Sequence, residues 1–357
     1  MKKRLLYNVG RNKVDHLQKN IEMFRGLGLE CEEFMYFPFR LIGSKWDFIY
    51  LNWYENIFQG SFIVAYSQYF VKKIALWYMK LRKMTIITSQ HNKVQHGKKY
   101  SRMSNDLFKT IYKQSSKIVV FSNEGKKDLQ LFLSENEINE KAVYIPPVNY
   151  IGTYPYVEHE WIAKLRSNDY FNVLFIGNMG YPYKNVPMVI DLANKLSDIN
   201  IKFIFAGKAG DAATKASYLD RIGNAANVVA EFRYINDDEM AHLLEIGDIV
   251  IIPYDTESMS NSGTARLAFS YAKSVICPRI ASLESIPDEL IYTYTYQEAS
   301  EHSVKLEERV LDAYNDYINR RDEFDNKGKR LKQIMVENNS EEVLLEKYRK
   351  IFKDTVS

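Results

Sequence analysis

Residues 248–273 read Asp248-Ile-Val-Ile-Ile-Pro-Tyr-Asp-Thr-Glu-Ser-Met-Ser-Asn-Ser-Gly-Thr-Ala-Arg-Leu-Ala-Phe-Ser-Tyr-Ala-Lys273. An apolar strand ends at Pro253, and a polar stretch leads into a small-residue helix whose start carries Ser262, Gly263 and Thr264. The first N–H groups of a helix have no intrahelical partner and sit at the positive end of its dipole. A strand that ends at such a turn therefore suits an anion. A second strand of this kind, Asn172-Val-Leu-Phe-Ile176, ends in Gly177-Asn-Met-Gly180 and is followed by Lys184 and a helix. Two such turns in one half of a chain suit one diphosphate held from two sides.

Working outward, apolar strands are expected near 4–9, 29–36, 47–52, 84–89, 117–121 and 143–145, with helices near 13–27, 62–82, 101–115 and 124–134. Pro146-Pro-Val-Asn-Tyr-Ile-Gly-Thr-Tyr-Pro155 breaks this rhythm and reads as a linker. The alternation restarts with strands near 172–176, 201–206, 227–232, 248–252 and 275–278. Helices follow near 186–197, 212–223, 237–246 and 264–273, with a charged helical pair near 300–320 and 340–354. Repeated strand–helix units give parallel sheets covered on both faces. The expected class is α/β, two Rossmann-like domains with a cleft between them. Residues 1–150 form the first, 151–340 the second, and 341–357 a helix that packs back on the first. In such sheets ligands bind beyond the carboxyl ends of the strands.

The chain has 357 residues and a formal net charge of +3. That figure hides an asymmetry: residues 1–150 hold 24 Lys/Arg against 13 Asp/Glu, and the remainder 24 against 32. Residues 72–127 carry 14 basic residues and only two acidic ones, Asp106 and Glu124. A basic half joined to an acidic half faces two kinds of partner. Cys31 and Cys277 are expected buried and reduced, as in a cytosolic protein. No signal peptide is visible, and no apolar run is long enough to span a bilayer.

The helix expected over 62–82 carries a stripe of Ile63, Tyr66, Phe70, Ile74, Trp77 and Leu81, continued by Met84. Lys72, Lys73, Lys80, Arg82 and Lys83 are interleaved with it. An interfacial membrane helix is one reading, and a core-packed helix with a solvated basic face is the other. The wider basic cluster favours an anionic membrane surface, with Trp77 at the headgroup boundary. No nucleic-acid-binding module accompanies the charge.

Thr85-Ile-Ile-Thr-Ser-Gln-His91-Asn92 puts a histidine just past a central strand, and His96 follows. A histidine there suits proton transfer or a hydrogen bond to a sugar hydroxyl, against a purely structural loop role. Gly10 follows the first strand and allows close backbone approach. Without a G-x-G-x-x-G run no nicotinamide or flavin cofactor is expected. Asn236-Asp-Asp-Glu239 reads as a helix cap, so no metal is assigned.

These elements together resemble the GT-B glycosyltransferases, in particular family 4-like enzymes that build bacterial surface polysaccharides. The resemblance rests on His91-Asn92, the Gly177-to-Lys184 loop, Arg233-Tyr234-Ile235 before an acidic helix, and Pro253-Tyr254 leading to Ser262-Gly263-Thr264. It implies a nucleotide-sugar donor on the second domain and an acceptor on the first. It also implies a metal-free site in which side chains and helix ends replace the cation at the diphosphate. Carried over, Lys184 holds the diphosphate, while Ser262, Gly263 and Thr264 bind phosphate oxygens. Gly207 and residues 233–235 contact the nucleoside. His91 faces the transferred sugar, with Gly10, Asn92 and His96 on the acceptor side.

Two departures stand out. Asn178 occupies a position that is basic in many members, and the family's paired glutamates fall at Met259 and Leu267. Asp255 and Glu257, just upstream, are the carboxylates at hand. The resemblance implies a retaining hexosyltransferase, and the expectation is that it uses a UDP-sugar in preference to a GDP-sugar and a lipid-linked glycan acceptor. It would work peripherally at the cytoplasmic face of the cell membrane. A non-catalytic sugar-nucleotide-binding partner and a sugar-nucleotide epimerase are the alternatives.

Overall fold

The computed structural model describes residues 2–9, 15–35, 41, 45–91, 99–256 and 261–354. The chain divides into two compact units, Met1–Val148 with Asn338–Ser357, and Asn149–Glu337.

In the first unit six parallel strands form one sheet: β1 (Arg4–Asn8), β2 (Glu30–Phe34), β3 (Phe48–Asn52), β4 (Thr85–Gln90), β5 (Lys117–Val120) and β6 (Ala142–Tyr144). Their spatial order is β2-β1-β3-β4-β5-β6, so the winding reverses between β1 and β3. That is the flavodoxin-like variant of a doubly wound sheet, and its ligand position lies beyond the carboxyl ends at the reversal. Every residue of β3 is buried, as a strand covered on both faces requires. Among the described residues, five α-helices connect the strands: α1 (Asp15–Gly26), α2 (Phe62–Leu81), α3 (Ser101–Gln114), α4 (Asn123–Asp128) and α5 (Glu135–Lys141). One face of the sheet packs Ile49, Leu51 and Ile86 against Leu76, Met79, Leu107 and Phe108 of α2 and α3. The other packs Tyr7 and Tyr50 against Phe24 of α1 and against Tyr348 and Phe352 near the chain end. Phe24 meets Tyr348 edge-on at 4.8 Å.

The second unit repeats the plan with β7 (Phe171–Ile176), β8 (Ile201–Ala206), β9 (Val228–Glu231), β10 (Ile249–Ile251), β11 (Val275–Pro278) and β12 (Tyr292–Tyr294). The order β12-β11-β10-β7-β8-β9 is the Rossmann arrangement, and it reverses between β7 and β10. Helix α6 (Glu160–Ala163) precedes the sheet, α7 (Val186–Lys195), α8 (Ala212–Ile222), α9 (Asp237–Ile246) and α10 (Gly263–Ser270) lie between its strands, and α11 (Ala299–Asn319) follows β12. Two more close the chain, α12 (Arg321–Asn339) and α13 (Glu341–Asp354). Helices α7, α8 and α11 cover one face, while α9, α10 and α12 cover the other. Helix α9 opens with the reciprocal cap anticipated from its sequence, Asn236 with Glu239. Cys31 and Cys277 are both buried and free.

Helix α2 departs from ordinary packing. Its buried residues are Ala65, Lys72, Ala75, Leu76 and Met79. The stripe Ile63, Tyr66, Phe70, Ile74, Trp77 and Leu81 faces outward, with Ile63 78% and Trp77 62% exposed. The core-packed reading of that stripe is therefore wrong. The small residues Ala65 and Ala75 lie on its inner side, where α2 packs beside α3, while its large apolar side chains stay outside. Lys72 also departs from expectation. It is only 5% exposed and donates to the Asn56 carbonyl oxygen at 2.6 Å, so it is no part of an outer basic face. Burial lowers its pKa to about 8, against the opposing pull of Glu55, and burial raises Glu55 to about 7. No helix among the described residues is long and apolar enough to cross a membrane.

Candidate functional site

The reversal between β7 and β10 brings together the two turns that opened the sequence reading. The N–H of Asp255 donates to the Tyr183 carbonyl at 2.9 Å, and the Asn185 side chain donates to the Pro253 carbonyl at 2.8 Å. Asn185 thus ties the loop after β7 to the end of β10, and its side chain makes no cap bond to α7. Its φ of 51° is one that Asn tolerates better than most residues.

Between these loops lies Tyr254, almost fully buried. Its ring sits 5.2 Å from Lys184 Nζ, and its hydroxyl lies 3.0 Å from Thr264 Oγ1 at the start of α10. Lys184 and Thr264 therefore flank one tyrosine. Lys184 is 7% exposed, and its ammonium has no hydrogen bond or ion pair among the described residues. Burial lowers its pKa to about 8, only partly offset by Tyr181. A buried cation without a counter-charge is costly unless an anion completes the site.

The amide groups divide differently from the sequence expectation. Of residues 177–180, Gly177 N–H donates to Ala206, Met179 N–H to Lys208, and Gly180 N–H to the Asn178 side chain. This turn therefore offers a lysine more than a row of amides. Asn178 stabilises the turn itself. At α10 the Ser262 hydroxyl accepts from Ala265 N–H at 3.1 Å, so its oxygen caps the helix, while Ser262 N–H donates to Ser282 Oγ. The N–H groups of Gly263 and Thr264 have no partner among the described residues, and they are the donors left for a ligand.

Gly207 follows β8 in register with Gly177 after β7. A Cβ at Gly207 would lie 1.9 Å from the Gly177 carbonyl oxygen. Its glycine is required by the approach of the two backbones, whatever else it touches. The Arg233 guanidinium is occupied: it pairs with both oxygens of Glu239 and with Glu231, and it lies 4.6 Å from the Trp161 ring centroid. Tyr234 is exposed and Ile235 is buried in the core. Asp255 accepts from the Tyr296 hydroxyl at 3.1 Å. Glu257 lies outside the described residues, as do Gly10, Asn92 and His96. Sequence reading did not assign Tyr254, nor Arg266 on α10, whose buried Nε has no partner and whose guanidinium faces the Tyr150 ring at 5.2 Å. The signal for Arg266 was a cation two residues beyond Thr264, inside the first turn of α10.

In the first unit the reversal between β1 and β3 holds a buried amide chain. Asn8 donates to the Phe34 and Met35 carbonyls. Asn52 donates its Nδ2 to the Asn8 carbonyl at 3.0 Å. Its remaining oxygen must accept, so His91 Nε2, 3.0 Å away, carries the proton. The imidazole stacks on Trp53 with centroids 3.6 Å apart. A cavity of about 240 Å³ opens beside Asn8, Asn52, Trp53 and Lys72. Among the described residues no group of His, Cys, Asp and Glu has the makings of a metal site.

Known structures resemble the whole of this chain. Sucrose-phosphate synthase from Thermosynechococcus elongatus superposes with a TM-score of 0.74 over 99% of both chains at 12% identity. The chain has the GT-B glycosyltransferase fold. A second GT-B neighbour is Anabaena HepE, solved in complex with UDP and glucose, with a TM-score of 0.71 at 13% identity over 99% of this chain and all of that one. By sequence, a GDP-mannose:glycolipid 4-beta-D-mannosyltransferase from Xanthomonas campestris is 25% identical over 131 residues, 37% of this chain and 37% of that enzyme. No family model matches the chain.

Proposed function

We propose that this GT-B chain is a glycosyltransferase that moves a sugar from a nucleotide-diphosphate sugar to a lipid-linked glycan in surface polysaccharide synthesis. The observation that carries the reading is Lys184, buried with no counter-ion among the described residues and across Tyr254 from the start of α10, where the N–H groups of Gly263 and Thr264 have no partner among the described residues. When the bond from the sugar's anomeric carbon to the diphosphate breaks, charge gathers on the departing oxygens. Preorganised donors in a water-poor site stabilise that charge best. Lys184 supplies a full charge and α10 supplies its first N–H groups and dipole, in place of a metal ion. Arg266 adds a second cation within a helical turn. Asp255 and Glu257 are the carboxylates for the sugar, and His91, locked by Asn52 and Trp53, faces the reacting sugar from the acceptor side.

UDP-sugars are the donors proposed first, since HepE is solved with UDP; GDP-mannose, the donor in the name of the Xanthomonas relative, is the second arm. Retention of anomeric configuration is proposed from the family 4-like resemblance. The glycolipid acceptor of that relative and the outward apolar stripe of α2 both support a lipid-linked acceptor and a place at the inner face of the cell membrane. The test incubates the full chain with UDP- and GDP-sugars, with and without membrane lipid extract, in the presence of EDTA. Lipid-dependent release of nucleoside diphosphate with one donor is expected. Donor binding without turnover would favour a non-catalytic partner, and lipid-independent conversion of the sugar an epimerase.

A further inference from the structure

At the opposite, amino-terminal edge of the first sheet, away from His91, lies a groove of about 710 Å³ between α2 and α3. Lys80 and Lys83 line it from the end of α2, and Lys109 and Lys113 from successive turns of α3. None of these four ammonium groups makes a hydrogen bond or ion pair with a described residue. Lys109 acts only at longer range on Asp106, and Lys113 on Glu137. Neighbouring lysines behave otherwise. Lys73 pairs with Asp106 at 2.8 Å, Lys99 donates to the Gly60 carbonyl, and Lys141 to that of Lys113. The one acid in the groove wall among the described residues, Asp106, is already held by Lys73 and Tyr69. Four unanswered cations facing one concavity repel one another, and a polyvalent anion removes that repulsion.

Two further observations narrow the anion. Gln114, also in the groove wall, has a buried Oε1 with no donor, so a ligand with hydroxyls as well as phosphate fits the chemistry. The groove also adjoins the outward stripe of α2, because Lys80 and Lys83 bracket exposed Leu81, one turn beyond Trp77. A second basic hollow, lined by Lys3, Lys45 and Arg82, shares Lys83 with it. An apolar stripe that runs into a basic groove matches acyl chains beside charged headgroups.

We propose that the α2–α3 groove is a binding site for the phosphate headgroup of an anionic membrane lipid, separate from donor and acceptor. It rests on the membrane part of the functional reading and not on the transferase part. Cosedimentation of the full chain with phosphatidylcholine vesicles, with and without phosphatidylglycerol, tests it. Lys109 and Lys113 are exposed and lie off the α2 stripe, so Lys109→Gln/Lys113→Gln keeps both the fold and the apolar surface. Each lost lysine should lower phosphatidylglycerol-dependent partitioning about fivefold, near twenty-five-fold for the pair. The charge-matched Lys126→Gln/Lys127→Gln variant on α4 should bind nearly as wild type. An equal loss in both pairs would mean diffuse attraction by a basic domain and would overturn the site. So would unchanged binding in the groove variant, or equally tight binding of soluble glycerol phosphate without vesicles, which would make it a free-phosphate site. A chain that shows the groove-specific loss yet releases no nucleoside diphosphate from any donor would retain the site and refute the transferase.

Discussion

A Cβ built at Gly177 lies 3.4 Å from Lys184 Nζ, so the absent side chain of one residue is the open space before the buried ammonium of the other. The φ of Gly177 is +117°, which L-residues rarely adopt. Gly177→Ala therefore combines backbone strain with a methyl group in front of the Lys184 ammonium, where the proposed diphosphate would sit. Strain of this kind costs about 1–3 kcal/mol, and donor affinity should fall about tenfold or more. Thermal melts and donor titration by calorimetry read the two effects separately. Loss of stability alone, with donor affinity intact, would remove the anion from this position.

Lys184 also makes the free protein pH-dependent. Its folded pKa of about 8 lies below the ordinary 10.5. Between those values the unfolded chain binds more protons, so stability contributed at this site rises with pH across that window. At neutral pH the buried charge is a liability, and Lys184→Met should stabilise the donor-free protein on the order of 3 kcal/mol. That advantage should shrink as pH rises from about 8 toward 10.5, while the variant loses donor binding throughout. Wild-type donor affinity should weaken above about pH 8, approaching tenfold per unit, because the diphosphate needs the ammonium. Chemical denaturation and calorimetry across pH 6–11 would show both trends, and parallel stability curves for the two proteins would refute the assignment.

The Asn8–Asn52–His91 chain predicts a different outcome for substitutions in the first unit. Asn52→Leu removes the acceptor for His91 Nε2–H and the donor to the Asn8 carbonyl together, so two buried groups each lose a hydrogen bond. Each such loss costs about 1–3 kcal/mol. His91→Gln keeps a donor near Asn52 and should leave the melting temperature within a few degrees while lowering transfer at least tenfold. The comparison of melting temperature with turnover distinguishes a positioned reacting group from a merely structural ring. Equal turnover in His91→Gln and wild type would count against any part for the imidazole in transfer.

The features visible in sequence were those with local signals. Strand–helix alternation, Pro253 after an apolar run, and the Asn236–Glu239 cap gave the two-sheet plan and most element positions. Helix α12 escaped because Arg321–Asn339 is strongly polar and carries Gly328 in mid-helix. That glycine answers a distant need: a Cβ there would lie 1.9 Å from the Ala272 carbonyl oxygen. Strand β12 is only three residues long. In the site, Lys184 was legible as a cation after a glycine turn, but its burial and its meeting with Tyr254 and Thr264 depend on β7 pairing with β10. Which amides stay free was equally hidden, because the partners of Gly177 and Met179 come from the end of β8 and the loop after it. Charge alone misplaced Lys72: periodicity put it among basic neighbours, while in the fold that side of α2 is buried and Lys72 reaches the Asn56 carbonyl.

That reversal of α2 gives the sharpest test of the membrane reading. Trp77 and Leu81 are each 62% exposed, so Trp77→Ser/Leu81→Ser removes apolar surface that the folded chain does not use for packing. Surface changes of this sort usually alter stability by no more than about 0.5 kcal/mol each. Insertion of such side chains into a bilayer interface is worth about 1.5–3 kcal/mol apiece when burial is complete, so vesicle partitioning should fall at least thirtyfold. Lys72→Glu is the opposite case. It places a second carboxylate near buried Glu55 and deprives the Asn56 carbonyl of its donor, so it should destabilise the first unit outright. Circular dichroism melts alongside cosedimentation separate the two behaviours. A double serine variant that melts as wild type and still sediments fully would show that the outward face of α2 does not meet the lipid.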